Sequence, residues 1–377
     1  MLGRVCSKLL GGRAKMRESM VRADPVHPQT VSVLRDASPK GYYAWVDYVK
    51  GIGIILVVLG HVLRGIEKAG IVQKNNALTI VDSIIYSFHM PLFFVVSGLF
   101  FHSSMEKRHS DGLIRNKFDT IVYPYIVWSI IQGGIEIFLS HYTNSHFRPI
   151  ELLSILWMPR DQFWFLYILM MCFVVFVIIE VTFSSVNYLF LTIILSFFCV
   201  FRYELNAPFI FDLFLANAVY FSFGILCGQF MALFEGACRK YIILLLVTVL
   251  ASQYIFHFVY DFNYTKIGFF SLYLSLITIL FIISVSINLK DRANIIKYIG
   301  KYSMPIYLIH VIVGSGMRIV MHGAFHINNL YIQAISGTVV GIFFPIAIYK
   351  YANSFGLSAL FIMPRSGKPY LAPSSVK

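Results

Sequence analysis

Ten stretches of this 377-residue chain are apolar over lengths that reach or approach the run of about 20 residues needed to cross a bilayer's hydrocarbon core. They lie near 48–66, 80–101, 118–140, 164–183, 187–201, 208–234, 241–260, 267–287, 299–320 and 331–352. Composition points the same way. Hydrophobic residues make up 58% of the chain and charged residues 13%, whereas a soluble domain carries about a quarter charged residues. The expected fold is all-α: a polytopic integral membrane protein of about ten transmembrane helices. The run at 187–201 is the shortest of them.

The net charge of +13 would suggest nucleic acid only if the cations shared one soluble surface. They sit instead in short gaps between apolar runs, so no nucleic-acid partner is expected and the cations read as topology signals. With the N-terminus inside, the cytoplasmic segments collect 23 of the 31 Lys and Arg residues. The outer segments hold Arg64, Lys68, Lys74, Arg148, Arg160, Arg202, Lys266 and Arg318. That asymmetry favours an even number of spans with both termini cytoplasmic. The expected organisation is an N-terminal tail at 1–46, a ten-helix membrane domain at 47–355 and a C-terminal tail at 356–377. The basic, polar first tail contains Pro25 and Pro28 and has no secretory apolar region, and a start at Met16 or Met20 is open. None of the five cysteines has metal or redox spacing, so neither a disulfide framework nor a metal site is expected. The polar, aromatic loop at about 141–163 is expected to help form a substrate mouth.

Titratable groups at membrane depth are the informative exceptions, because hydrocarbon disfavours them. In "DYVKGIGIILVVLGH", Lys50 and His61 are eleven residues apart. At 100° per residue they share a helix face, separated by roughly 16 Å of rise. Arg64 lies one turn further along nearly the same face, and Gly53 and Gly60 allow close approach of a neighbouring helix. In "VDSIIYSFHMPLFFVVSGLFF", Asp82 and His89 share a face. Pro91 should kink that helix and free a carbonyl near the histidine. In "YIGKYSMPIYLIHVIVGSGMRIV", Ser303, Tyr307, His310 and Gly314 share a face, with His310 about 14 Å above Lys301. Three helices should therefore carry His61, His89 and His310 to similar depth. One such histidine is often a hydrogen-bonded packing residue; three together suggest a site. The abundant Phe and Tyr read mainly as lipid-facing bulk and interfacial belt.

The segments "DYVKGIGIILVVLGH", "FHMPLFFVVSGLFF" and "IGKYSMPIYLIH", in that order on the first, second and ninth helices, resemble the membrane acyltransferase-3 family, in particular its fucose 4-O-acetylase-like branch. The resemblance covers about residues 45–350. It implies a multi-pass O-acetyltransferase of the bacterial cytoplasmic membrane. Acetyl-CoA would be its co-substrate, with no permanently bound cofactor. The acceptor would be a sugar hydroxyl of a surface or secreted glycan or lipid-linked oligosaccharide, such as capsule, O-antigen, exopolysaccharide or a nodulation-factor-type oligosaccharide. Membrane lipid would surround it, and oligomeric state is left open. Lys50 and His61 match the family's basic residue and histidine, although many members carry Arg first. Phe93, Phe94, Ser97 and Gly98 match its "FF-x-x-SG" element, and Arg115 and Lys117, followed by Pro124, match basic residues entering the third helix. One departure is the lack of a Glu shortly after Trp164, where many members have one; Asp161 lies nearby.

Acyl transfer to an alcohol needs a base, donors for the oxyanion and placement of both substrates. His61 is the leading general base. His89 and His310 are candidates for orientation or oxyanion stabilisation, and a covalent acetyl-histidine is also open. Lys50, Arg115, Lys117 and Lys301 lie at cytoplasmic ends, where CoA phosphates would approach. Arg64, Asp82, Asp161, Trp164 and Arg318 face outward and suit a sugar, although interfacial anchoring explains each of them equally well. A membrane exporter or flippase with a His/Asp proton relay is the competing reading, and a scaffolding subunit is a third. Paired discontinuous helices or repeats would favour the exporter, and the sequence has neither.

Overall fold

The computed structural model describes residues 43–71, 76–138, 149–183, 185–289 and 292–364. Most of both expected tails, with Lys74 and Arg148, falls outside them. Among the described residues the secondary structure is helical throughout, with no strand. Among the described residues, nine helical segments are long and apolar enough to span a membrane: 44–68, 76–99, 101–138, 153–182, 209–229, 242–259, 269–288, 303–324 and 330–354. The tenth expected span is Tyr188–Val200, only 13 residues long. At 1.5 Å per residue it rises about 20 Å, short of the ~30 Å hydrocarbon core.

In chain order the helices are α1 (Ala44–Lys68), α2 (Asn76–Leu99), α3 (Phe101–Lys117), α4 (Tyr123–Phe138), α5 (Trp164–Thr182), α6 (Tyr188–Val200), α7 (Phe209–Gln229), α8 (Met231–Lys240), α9 (Ile242–Tyr254), α10 (Phe269–Asn288), α11 (Asn294–Lys301), α12 (Ser303–Ile319) and α13 (Leu330–Ser354). The charged gap between the second and third apolar runs is helical. It breaks at His109 (φ 56°, ψ 174°) and enters α4 through a π-turn at Phe118–Val122. The expected ninth span at 299–320 begins inside a separate short helix, α11, before α12 starts at Ser303. Asparagines start two helices in the usual way: the side chains of Asn187 and Asn329 accept the N–H groups of Phe190 and Ile332, both at 3.1 Å.

Lipid supplies no hydrophobic drive for one helix to meet another, so close backbone packing must hold the bundle. Two glycine seams provide it. On α2 and α7, a Cβ placed at Gly98 or Gly224 would run into the carbonyl oxygens of Phe221 and Val95. On α1 and α11, a Cβ at Gly51 or Gly300 would run into those of Ile296 and Asp47. Gly53 and Gly60, the glycines expected to admit a neighbour, face the rings of Phe93 and Tyr86 instead. Phe93 and Phe94 both pack edge-on against Phe165 at 5.9 and 5.0 Å, so this part of the "FF-x-x-SG" element is packing. Short α6 is tied in by polar bonds. Tyr188 donates to Glu180 at 2.8 Å, Glu180 pairs with His102 at 2.5 Å, and the Thr192 and Ser222 hydroxyls bond at 2.8 Å.

Residues 357–363, at the start of the expected C-terminal tail, dock on the bundle. Trp128 Nε1 donates to the Leu360 carbonyl at 2.8 Å, and the Met363 N–H donates to the Asp119 carbonyl at 3.2 Å. The α1–α11 seam yields a test by thermal melting of the detergent-solubilised protein. Gly300→Val should cost about 3 kcal/mol or prevent folding, as overpacking does. Gly316→Ala, with nothing within 4 Å of its added Cβ, should leave the melting temperature nearly unchanged.

Candidate active site

A cavity of about 710 Å³ opens at the end of the bundle formed by the C-terminal half of α1, the N-terminal part of α2 and the C-terminal half of α12. His61, His89 and His310 all line it, so three helices do bring the three histidines together. The rings of His61 and His310 lie edge to face, 5.1 Å between centroids. The Tyr86 ring packs edge-on against His89 at 4.6 Å and stands 6.4 Å from His61. His89 and His310 are each 1% exposed, whereas His61 is half-buried and meets the cavity more openly.

Backbone carbonyls fix two of the tautomers. His310 Nδ1–H donates to the carbonyls of Ile306 at 3.1 Å and Tyr307 at 2.8 Å. His89 Nδ1–H donates to the Ile85 carbonyl at 2.7 Å. A carbonyl only accepts, so Nδ1 holds the proton and, in the neutral ring, Nε2 presents a lone pair. His310 Nε2 is buried with no hydrogen-bond partner. Both rings are therefore acceptors at Nε2 and, when neutral, cannot donate to an oxyanion from it. The free donor nearby is Tyr86, whose hydroxyl is buried without a partner. Pro91 sits inside α2, which continues through it to Leu99. Lacking an N–H, it leaves the Ser87 carbonyl without its i+4 donor, and both residues line the cavity.

Arg64, Asp161, Trp164 and Arg318, four of the five expected outer residues, line the cavity. Asp82, the fifth, makes a bidentate pair with Arg64 at 2.7 and 2.9 Å. It holds the Arg64 guanidinium 3.1 Å over the Tyr86 ring, so Asp82 positions Arg64 and does not line the space itself. Asp161 adopts a left-handed backbone (φ 44°), which Asp tolerates better than most residues. The four cations expected on the cytoplasmic side do not line this cavity. Lys50 lies 3.9 Å from Asp47, Lys117 sits 4.1 Å over the Phe173 ring, and Arg115 and Lys301 are exposed.

Sequence reasoning missed several wall residues. Glu136 supplies a second carboxylate beside Trp164, paired with Arg160 at 3.3 Å. Gln132 donates to Glu136 at 3.1 Å and to Asp161 at 3.4 Å, and accepts from Gln162 at 2.7 Å. Tyr307 donates to the Gln162 carbonyl. Of the loop expected to help form a substrate mouth, Asp161 and Gln162 line the cavity, while 139–148 lies outside the described residues. Lys68, Arg202, Tyr264 and Lys266 add to the polar lining. One signal was available: "YSFH" and "YLIH" both place a tyrosine three residues before a histidine, hence on its helix face. Among the described residues, no group of three or more His, Cys, Asp or Glu side chains is placed to hold a metal ion.

Comparison with known proteins bears on this geometry. The nodulation protein NolL of Sinorhizobium fredii (strain NBRC 101917 / NGR234) is 34% identical over 82 residues, 22% of each chain. The match therefore spans about a fifth of that relative's length. No solved structure matches the chain. The acyltransferase domain family model, Acyl_transf_3, matches residues 43–350, which contain all three histidines and nearly all of the helical bundle. The chain belongs to the acyltransferase-3 family.

Proposed function

We propose that the protein is an O-acetyltransferase of the bacterial cytoplasmic membrane, taking acetyl-CoA as donor and a sugar hydroxyl of a surface or secreted glycan as acceptor. The observation that carries this reading is the half-buried His61 ring on the cavity wall, 5.1 Å from the ring of His310, whose Nε2 has no hydrogen-bond partner. His61 meets the acceptor and acts as general base. Its far nitrogen takes the hydroxyl proton while its near N–H turns onto His310 Nε2, which stabilises the imidazolium that forms. That is the base-plus-orienter logic of nucleophile activation. The acceptor oxygen attacks the thioester carbonyl, and the C–S bond of the tetrahedral intermediate then breaks. The CoA thiolate takes the proton back from His61. The Tyr86 hydroxyl donates to the developing oxyanion, and His89 packs against its ring.

Carboxylates and amides at Glu136, Asp161, Gln132 and Gln162, with Trp164 beside them, suit a sugar, since carboxylates bond hydroxyls and an aromatic face covers a ring. The fucose 4-O-acetylase-like motifs support a glycan acceptor, and the similarity to a nodulation protein fits an oligosaccharide. The Lys and Arg distribution supports both termini in the cytoplasm, with the cavity facing outward. Lys50, Arg115, Lys117 and Lys301 then lie on the side from which acetyl-CoA arrives.

The test is transfer of labelled acetyl from acetyl-CoA to the host's surface-glycan fraction in isolated membranes. His61→Ala should lower kcat by about 10³-fold, as loss of a general base does. Equal transfer by wild type and this variant would remove His61 from the chemistry. Absence of transfer by folded wild type, with native glycan present, would favour an exporter. Tyr86→Phe separates the roles: kcat should fall about 10²-fold with KM little changed, whereas a packing role would leave kcat intact in protein that still folds.

A further inference from the structure

Five cations line the cavity, and they differ in how they are balanced. Arg64 is paired with Asp82, and Arg202 with Asp212 at 3.2 Å. Arg318, Lys68 and Lys266 have no carboxylate partner among the described residues. Of the two carboxylates in the lining, Glu136 is taken by Arg160 and Asp161 makes no ion pair with any of the three, so one negative charge stands against three positive ones.

Arg318 is the most constrained of the three. It is half-buried, and its guanidinium lies directly against the bare backbone of Gly65, where a Cβ would collide with Nη1. Gly65 falls between Arg64 and Lys68 on α1, so this approach brings a third cation to that end of the helix. Lys266 joins from the α9–α10 connection beside Tyr264, whose ring lies 4.9 Å from the Arg64 guanidinium. Lys68, Tyr264 and Lys266 are exposed and mark the mouth.

A half-buried guanidinium that has lost water without gaining a counter-charge is costly. Topology does not explain it, because the positive-inside tendency disfavours cations at this end of the bundle. All six described cations of the expected outer segments nonetheless line the cavity or, in the case of Arg160, pair with a carboxylate that does. An anionic ligand group would balance the excess. Arg, with its planar fork of donors, is suited to a phosphate or carboxylate.

Building on the proposed sugar acceptor, we propose that Arg318, Lys68 and Lys266 form a subsite for an anionic group carried by that acceptor, a phosphate or carboxylate on the saccharide to be acylated. The acceptor then lies with its anionic group at the mouth and its reactive hydroxyl inward at His61. The subsite selects charged over neutral sugars and raises the encounter rate at low salt.

Binding of probes to the purified full chain, read as thermal stabilisation, tests this. Glucose 1-phosphate or glucuronate should stabilise the wild type saturably, less so as salt rises, while glucose should not. Whichever anion binds identifies the group. Arg318→Gln should weaken that binding about tenfold, with Arg318→Lys regaining part. Lys266→Gln, an exposed loop change that gives up only a cation–π contact with Phe262, should weaken it about threefold. Failure of both anions to stabilise folded wild type, or equal binding by wild type and Arg318→Gln, would overturn the subsite and leave these cations as interfacial anchors. Loss of CoA binding in Arg318→Gln would assign the cluster to the donor and overturn it equally. Anion binding without any acetyl transfer by wild type would leave the subsite standing and remove the transferase reading instead.

Discussion

Two carbonyl oxygens on one turn of α12, those of Ile306 and Tyr307, hold the Nδ1 proton of His310, and the proposed chemistry depends on that arrangement. With the proton held there, Nε2 is left without a partner in a buried site, on a ring 5.1 Å from that of His61. A lone pair without a partner is an unfavourable thing to build inside a membrane protein. It becomes useful when a neighbouring imidazole takes up a proton and needs an acceptor. The same device on α2, with the Ile85 carbonyl on His89 Nδ1, leaves the donor's part to the Tyr86 hydroxyl. Three histidines that look equivalent by depth are thus divided by exposure and hydrogen bonding into one half-buried ring, the proposed base, and two fully buried ones.

The cavity can exist because the opposite part of the bundle is tightly closed. Backbones touch where Gly51 and Gly300 join α1 to α11, and where Gly98 and Gly224 join α2 to α7. These seams lie toward the chain segments rich in Lys and Arg, while the helices part at the other end to make room for a cavity of about 710 Å³. Arg64, fixed by Asp82 and lying over Tyr86, connects the α1 and α2 walls of that space. The anionic subsite and the histidines are then two regions of one chamber, joined through Arg64 and Tyr264.

Much of this was legible before any coordinates. An apolar run of about 20 residues has few alternatives to a membrane helix, so the spans could be placed closely, down to the weakness of Tyr188–Val200. The histidines were legible by helical arithmetic, because eleven residues from Lys50 to His61 leave little freedom in depth. What could not be read was pairing between elements distant in sequence. Nothing local says that Glu136 meets Arg160, that Asp82 serves Arg64 and not a ligand, or that Arg318 rests on Gly65. Those outcomes depend on which helix ends meet, and single polar residues at span ends look like interfacial anchors. The two Tyr-x-x-His segments are different: their spacing carried the signal, and only their repetition on separate helices gave it meaning.

The most direct test of the account is a cryo-electron-microscopy map of the protein bound to a non-hydrolysable acetyl-CoA analogue. The account predicts the analogue's acyl carbonyl beside His61 and the Tyr86 hydroxyl, with the nucleotide phosphates on the side of Lys50 and Lys117. An acyl group resting anywhere away from the three histidines would contradict it.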